Sequence, residues 1–136
     1  MSDKYAALKQ AAAEATQGSW YADYAFDVCH ESGAFIVETH GDNLVHNAKF
    51  IAAANPATIL ELLGERDADK RRIDELTEAL SHSVAGYKSC LRMGYDRIID
   101  LGGDCDAPEV MIAGNPDIQQ AEKLLSVGIS LKIEGE

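Results

Sequence analysis

The sequence is poor in aromatic residues and cysteines, and it lacks long apolar runs. Aromatics make up 7% of 136 residues, and five of them fall between Trp20 and Phe35, so we expect a compact core there. The three cysteines form no CxxC pair, which favours a cytosolic protein with reduced thiols. No stretch approaches the roughly 18 apolar residues of a membrane helix, and no signal peptide is recognisable. We therefore predict a soluble protein that does not bind membranes.

Positive charge is scarce as well. The 12 basic and 23 acidic residues give a net charge of -11. Counted along the chain, the excess is -4 in residues 1–56, -4 in 57–106 and -3 in 107–136. Binding to nucleic acid or anionic lipid needs clustered Lys and Arg. One basic cluster exists (Arg66, Lys70, Arg71 and Arg72), but neighbouring carboxylates balance it, and we interpret it as a solvated helix face. Direct nucleic-acid binding is therefore not expected.

The first 55 residues carry both helical and alternating apolar patterns. The predicted elements are a helix ending near Ala15, a strand at Trp20–Val28, a strand at Ala34–Thr39 and a helix at Asp42–Ala54. The short link between the two strands predicts a β-hairpin. Because a lone hairpin is marginally stable in water, the second helix is expected to cover one of its faces. These residues predict an αββα unit.

A long charged helix is predicted to begin at the Asn55-Pro56 junction, since proline suits the first helical position and disfavours helix in the residue before it. Apolar residues then recur at 3–4 spacing, interrupted by Arg66 and Asp69. An intermolecular coiled coil and an αα-hairpin that covers this face internally both remain open. The predicted oligomer interface, called the seam below, consists of Ile59, Leu62, Ile73, Leu76 and Leu80.

The helical pattern resumes at Val84 and stops at Leu101-Gly102-Gly103. Asp106 is a predicted N-cap of a short helix, and a last helix is predicted to start at Asn115-Pro116 and end at Gly128, before a terminal strand or tail. The predicted class is α+β and mainly helical. Its parts are an αββα unit at 1–55, a long helix or coiled coil at 56–83, and a helical unit with a short tail at 84–136.

No catalytic motif is present. Phosphate-binding loops and serine-nucleophile elements are missing. Cys29 and His30 are predicted on opposite faces of a strand, and Cys90 is predicted to be a core residue. A zinc site built from Cys29, His30, His40 and His46 is conceivable, but it lacks the usual ligand spacing. We therefore assign no catalytic, cofactor-binding or metal-binding residue and predict that the protein is not an enzyme.

Two strings resemble a known family. The opening Tyr5–Ala12 with Thr16–Tyr21, and the string Asn47–Leu63 containing Phe-Ile-Ala-Ala-Ala-Asn-Pro, are similar to the Ead-like early-region proteins of lambdoid phages and prophages. Gln17 and Ser19 stand where that family usually has prolines. The resemblance implies an accessory protein that tunes phage development in the host cytoplasm and has no established catalytic residues.

Three hypotheses follow. The first is a non-enzymatic phage accessory protein that self-associates through the seam, uses no cofactor, and contacts an unidentified host or phage protein. The second is an acidic DNA mimic or anti-defence inhibitor, which the net charge permits. The third is a small-molecule or metal-binding module that uses Trp20, Tyr24, His40 and His46.

Overall fold

The computed structural model describes the backbone of residues 3–24 and 26–135, and side chains up to Gly128. The predicted α+β, mainly helical class is confirmed. Contacts divide the chain into two compact units, Met1–Asp69 (the N-terminal unit) and Lys70–Glu136 (the C-terminal unit). The three-part division with boundaries at 55 and 83 stays a prediction. The elements are α1 Ala6–Glu14, β1 Trp20–Asp23, β2 Asp27–His30, β3 Phe35–Glu38, α2 Leu44–Ala53, α3 Pro56–Asp100, α4 Pro108–Gly114 and α5 Pro116–Gly135.

The sheet has three antiparallel strands in the order β1-β2-β3. The prediction of one strand over Trp20–Val28 is wrong, because the chain reverses between Asp23 and Asp27, which pair directly. No glycine or proline marks this turn; Tyr24 adopts a positive φ of 45° instead. Asp23 Oδ1 accepts the N–H of the next residue, Tyr24, at 3.0 Å. The predicted αββα unit is therefore αβββα.

The core of the N-terminal unit lies between the sheet and α2. Val28 and Ala48 are 0% exposed, and Ala52 completes the buried cluster. The predicted cover of the sheet by a helix is confirmed, since α2 contacts β1 and β2. Small side chains on α2 let the helix approach the strands closely. The half-buried residues packed against this cluster are Trp20, Ala22, Ile36, Val37 and Ile51.

Two Asn-Pro junctions separate helices. Asn55 Oδ1 accepts the Thr58 N–H at 3.1 Å, and Asn115 Oδ1 accepts the Ile118 N–H at 3.0 Å, so each Asn caps the following helix. Both predicted helix starts are confirmed. Asp106, however, is not the N-cap of α4, because Pro108 occupies the first helical position and makes Ala107 the capping residue, without a side-chain bond.

In the C-terminal unit, buried positions are few among the described residues. Ile118 is 2% exposed and Val84 is 9% exposed, whereas Cys90 is exposed, so the prediction that Cys90 belongs to the core is wrong. The predicted stop of α3 is confirmed by Gly102, at φ 81°, and by the Gly103 N–H bonded to Ile98 O at 2.9 Å. The predicted end at Gly128 and the terminal strand or tail are wrong, because α5 continues to Gly135. A glycine costs a helix only about 1 kcal/mol relative to alanine.

Candidate functional site

The N-terminal end of the predicted seam is only partly packed. Ile59 is half-buried and Leu62 is 59% exposed. The next residue, Leu63, is 8% exposed and therefore takes the packed position of this helical turn. Heptad spacing predicted Leu62 as the interface residue, whereas in the structure Leu63 is the buried residue of this turn.

The remaining seam residues border an open groove in the C-terminal unit. The groove has a volume of about 220 Å³ and is called the α3–α5 groove; its lining residues are Ile73, Leu76, Thr77, Leu80, Leu124 and Leu125. Asn115 Nδ2 donates to Tyr87 Oη at 2.9 Å, and a Cβ built on Gly128 would lie 3.8 Å from Thr77 Oγ1. Asn115 thus lies beside Tyr87, and Gly128, later on α5, lies beside Thr77, earlier on α3, so α5 runs antiparallel to this part of α3. An ion pair between Lys88 and Glu122 also joins the two helices. An αα-hairpin of this kind was one of the two explanations of the seam.

Helix α5 covers the apolar residues of α3 in the groove only in part. Ile73 and Leu76 remain 57% and 52% exposed, and Leu124 on the opposite wall is 57% exposed. A contiguous exposed apolar surface on a folded protein commonly marks an interaction site. The groove is therefore a candidate interface, and the assignment of the seam residues to an oligomer interface stays a prediction.

A second candidate surface is the sheet face that points away from α2. Strand alternation places Ala22, Val28 and Val37 towards the helix, so the neighbouring residues point outward. The outward residues, called the outer sheet face, form two rows across the strands: Tyr21, Cys29 and Phe35, and then Asp23, Asp27 and Glu38.

The two rows differ in chemistry. Tyr21 and Phe35 are 43% and 60% exposed, while Cys29 between them is 7% exposed. Burial, together with the nearby carboxylates of Asp23 and Asp27, raises the pKa of the Cys29 thiol. Burial also raises the pKa of the Tyr21 hydroxyl, with smaller effects of Cys29 and Asp23. The thiol is therefore held in its protonated, weakly nucleophilic form.

The histidines do not form a common site with Cys29. Because Cys29 lies on the outer sheet face, its strand neighbour His30 points to the opposite face, as predicted from sequence. His30 Nδ1 accepts the Ser32 N–H at 3.1 Å, so Nε2 donates to Gln17 O at 2.7 Å. His40 Nε2 lies 3.9 Å from Glu38 Oε2. Among the described residues, no three His, Cys, Asp or Glu side chains are placed to hold a metal ion.

Two residues of the hypothesised small-molecule module, Trp20 and Tyr24, have different surroundings, and the module stays a hypothesis. Trp20 packs against the core cluster, and its Nε1 donates to Thr16 O at 3.0 Å. Tyr24, by contrast, is 79% exposed at the β1–β2 turn. The outer sheet face was not predicted from the sequence, because its two rows are defined only when the turn at Tyr24 is known. Asp23 and Asp27, which flank Tyr24, are turn-favouring residues that could have indicated this turn.

Comparison with known proteins identifies the family of the chain. A family model described as Ead/Ea22-like protein matches residues 3–126. The chain therefore belongs to the Ead/Ea22-like family, a phage-associated family of lambdoid early-region proteins, and the resemblance inferred from the Asn-Pro junction is confirmed. No curated protein and no solved structure matches the chain. None of the helices in the described part of the chain is long and apolar enough to cross a membrane.

Proposed function

We propose that this phage accessory protein is not an enzyme and that it works through protein–protein contacts in the cytoplasm of the infected bacterium, where it modulates phage development or the host response. Its first partner in this proposal is a second copy of itself. The observation that carries the proposal is the half-exposed apolar side chains on both walls of the α3–α5 groove.

The proposed occupant of the groove follows from the composition of its walls. Ile73, Leu76 and Leu80 recur at 3–4 spacing on one face of α3, and Leu124 and Leu125 form the facing wall. A second copy carries the same apolar surface, and a twofold contact between two copies joins like surfaces. The charged residues Arg71 and Glu78 lie on the opposite face of α3 and are exposed, so such a contact leaves them in solvent.

Static light scattering of the full chain tests this proposal. At micromolar concentration we expect twice the 14.7 kDa monomer mass or a larger multiple. The variant Ile73→Ser/Leu76→Ser/Leu80→Ser should be monomeric, because each serine removes apolar surface from the contact. A wild-type chain that is monomeric at high micromolar concentration would contradict self-association.

Two controls separate a lost contact from a lost fold. The matched variant Met93→Ser/Leu101→Ser/Val110→Ser removes apolar residues that are 67%, 74% and 60% exposed outside the groove, and it should keep the wild-type mass. The charge-swapped variant Arg71→Glu/Glu78→Arg alters the face of α3 opposite the groove and should also keep the wild-type mass. If either control lowered the mass as much as the three serines do, association would not run through the groove.

A further inference from the structure

The outer sheet face combines exposed rings with a ladder of carboxylates. Asp23 pairs directly with Asp27, and Asp27 pairs with Glu38, so three like charges face one another across three strands. Like charges at opposed positions of a sheet are destabilising. Among the described residues, the ladder has one ion-pair contact, between Glu38 Oε2 and His40 Nε2 at 3.9 Å, and it carries opposite charges only when His40 is protonated. In the described part of the chain, no basic side chain pairs with Asp23 or Asp27, and Asp23 Oδ1 accepts only the Tyr24 N–H.

The aromatic row borders this ladder. Residues two apart on a strand are separated by about 6.5–7 Å, so Tyr21 lies one such step from Asp23, and Cys29 one step from Asp27. A guanidinium reaches across this distance, with its alkyl stem and planar group against the exposed rings of Tyr21 and Phe35. Its donors then meet the carboxylates in the fork geometry that arginine provides. Lysine offers the charge without the planar fork.

We propose that the outer sheet face docks an arginine-bearing segment of another protein, with the guanidinium between the aromatic row and the carboxylates of Asp23 and Asp27. Charge complementarity selects this occupant, since a purely apolar partner would leave the like-charged ladder uncompensated. The proposal deepens the interaction function proposed above by giving the chemistry of the partner. It concerns the N-terminal unit alone, so it can fail while self-association through the groove stands.

The test uses the full-length, uniformly ¹⁵N-labelled chain and an acetylated, amidated peptide Gly-Ser-Arg-Gly-Ser-Arg-Gly. Peptide titration should give saturable amide shifts confined to β1, β2 and β3. A peptide with citrulline for arginine has the same shape without the charge, and it should bind at least tenfold more weakly. Shifts of equal size with citrulline, or shifts centred on the C-terminal unit, would overturn the proposal.

Matched variants identify the carboxylates. Asp23→Asn/Asp27→Asn keeps an oxygen that can accept the Tyr24 N–H, and we expect at least tenfold weaker arginine-peptide binding with an unchanged sheet spectrum. Asp104→Asn/Asp106→Asn changes the net charge equally outside the sheet and should bind like the wild type. Equal loss of arginine-peptide affinity in both variants would show that binding depends only on net charge, which would overturn the proposal. Shifts of β1–β3 amides on simple dilution would show that a second copy occupies the face, which also overturns the proposal.

Discussion

The two units differ in how completely they bury their apolar residues. In the N-terminal unit, Val28 and Ala48 are fully enclosed between the sheet and α2. In the C-terminal unit, Ile118 is enclosed, but Ile73 and Leu124 on the groove walls stay more than half exposed. The first arrangement is complete within one chain. The second leaves apolar surface that self-association would cover.

This difference has a thermodynamic consequence. A fold with a closed core keeps its stability at any protein concentration, whereas a fold that gains from association becomes more stable as concentration rises. The single tryptophan, Trp20, packs against the core cluster of the N-terminal unit and reports on it by fluorescence. Far-UV circular dichroism follows mainly α3 and α5. The two signals can therefore test the two units separately in one sample.

The largest expected effect is that of Ile118→Ala. Ile118 is 2% exposed, and truncation of a buried isoleucine costs about 2–5 kcal/mol. Guanidinium unfolding should show a clearly lowered midpoint by circular dichroism and a smaller change in Trp20 fluorescence.

The control Val110→Ala truncates a side chain that is 60% exposed and should cost less than about 1 kcal/mol. If Ile118→Ala shifts both signals equally, the units unfold as one, and the comparison between them loses its thermodynamic meaning.

Gly18→Ala probes the N-terminal unit and should cost about 2 kcal/mol. Gly18 has φ 107°, and a Cβ there would lie 2.5 Å from His30 Nε2. Both the backbone strain and the displacement of His30 from its bond to Gln17 O destabilise the fold. The loss should show in Trp20 fluorescence during urea unfolding.

Gly33→Ala is the matched control, because Gly33 has φ 88° but open space around its Cβ position. It should cost only the backbone strain and therefore less than Gly18→Ala. Equal losses would mean that the contact with His30 adds nothing to the cost.

Sequence reasoning succeeded where the signals were local. The Asn55-Pro56 junction, the stop at Gly102 and the alternating apolar residues around Val28 each carry their own cause within a few residues. It failed at Tyr24, because a tyrosine with positive φ is uncommon and gives no turn signal. It also failed at Gly128, where one glycine did not end α5.

The candidate surfaces needed information that spacing does not contain. Heptad spacing found Ile73, Leu76 and Leu80, but it could not place α5 beside them, since that depends on contacts far apart in sequence. The outer sheet face depends on strand register, and a register is fixed only when its turn is known. Because the turn at Tyr24 was not predicted, neither the third strand nor the row of Asp23, Asp27 and Glu38 could be predicted.

The smallest expected effect is a gain in stability from Tyr24→Gly. A positive φ costs a non-glycine residue roughly 1–2 kcal/mol, and the extra unfolded-state freedom of glycine takes back about 0.5–1 kcal/mol. A net gain of up to about 1.5 kcal/mol should raise the thermal midpoint, followed by Trp20 fluorescence, by a few degrees. Tyr24→Ala removes the same ring, which is 79% exposed, without relieving the backbone, and should leave the midpoint nearly unchanged. Equal midpoints for the Gly and Ala variants would show that the turn is not strained. A gain seen only with glycine would mean that this turn keeps an exposed aromatic residue at a cost to stability, beside the carboxylates of Asp23 and Asp27.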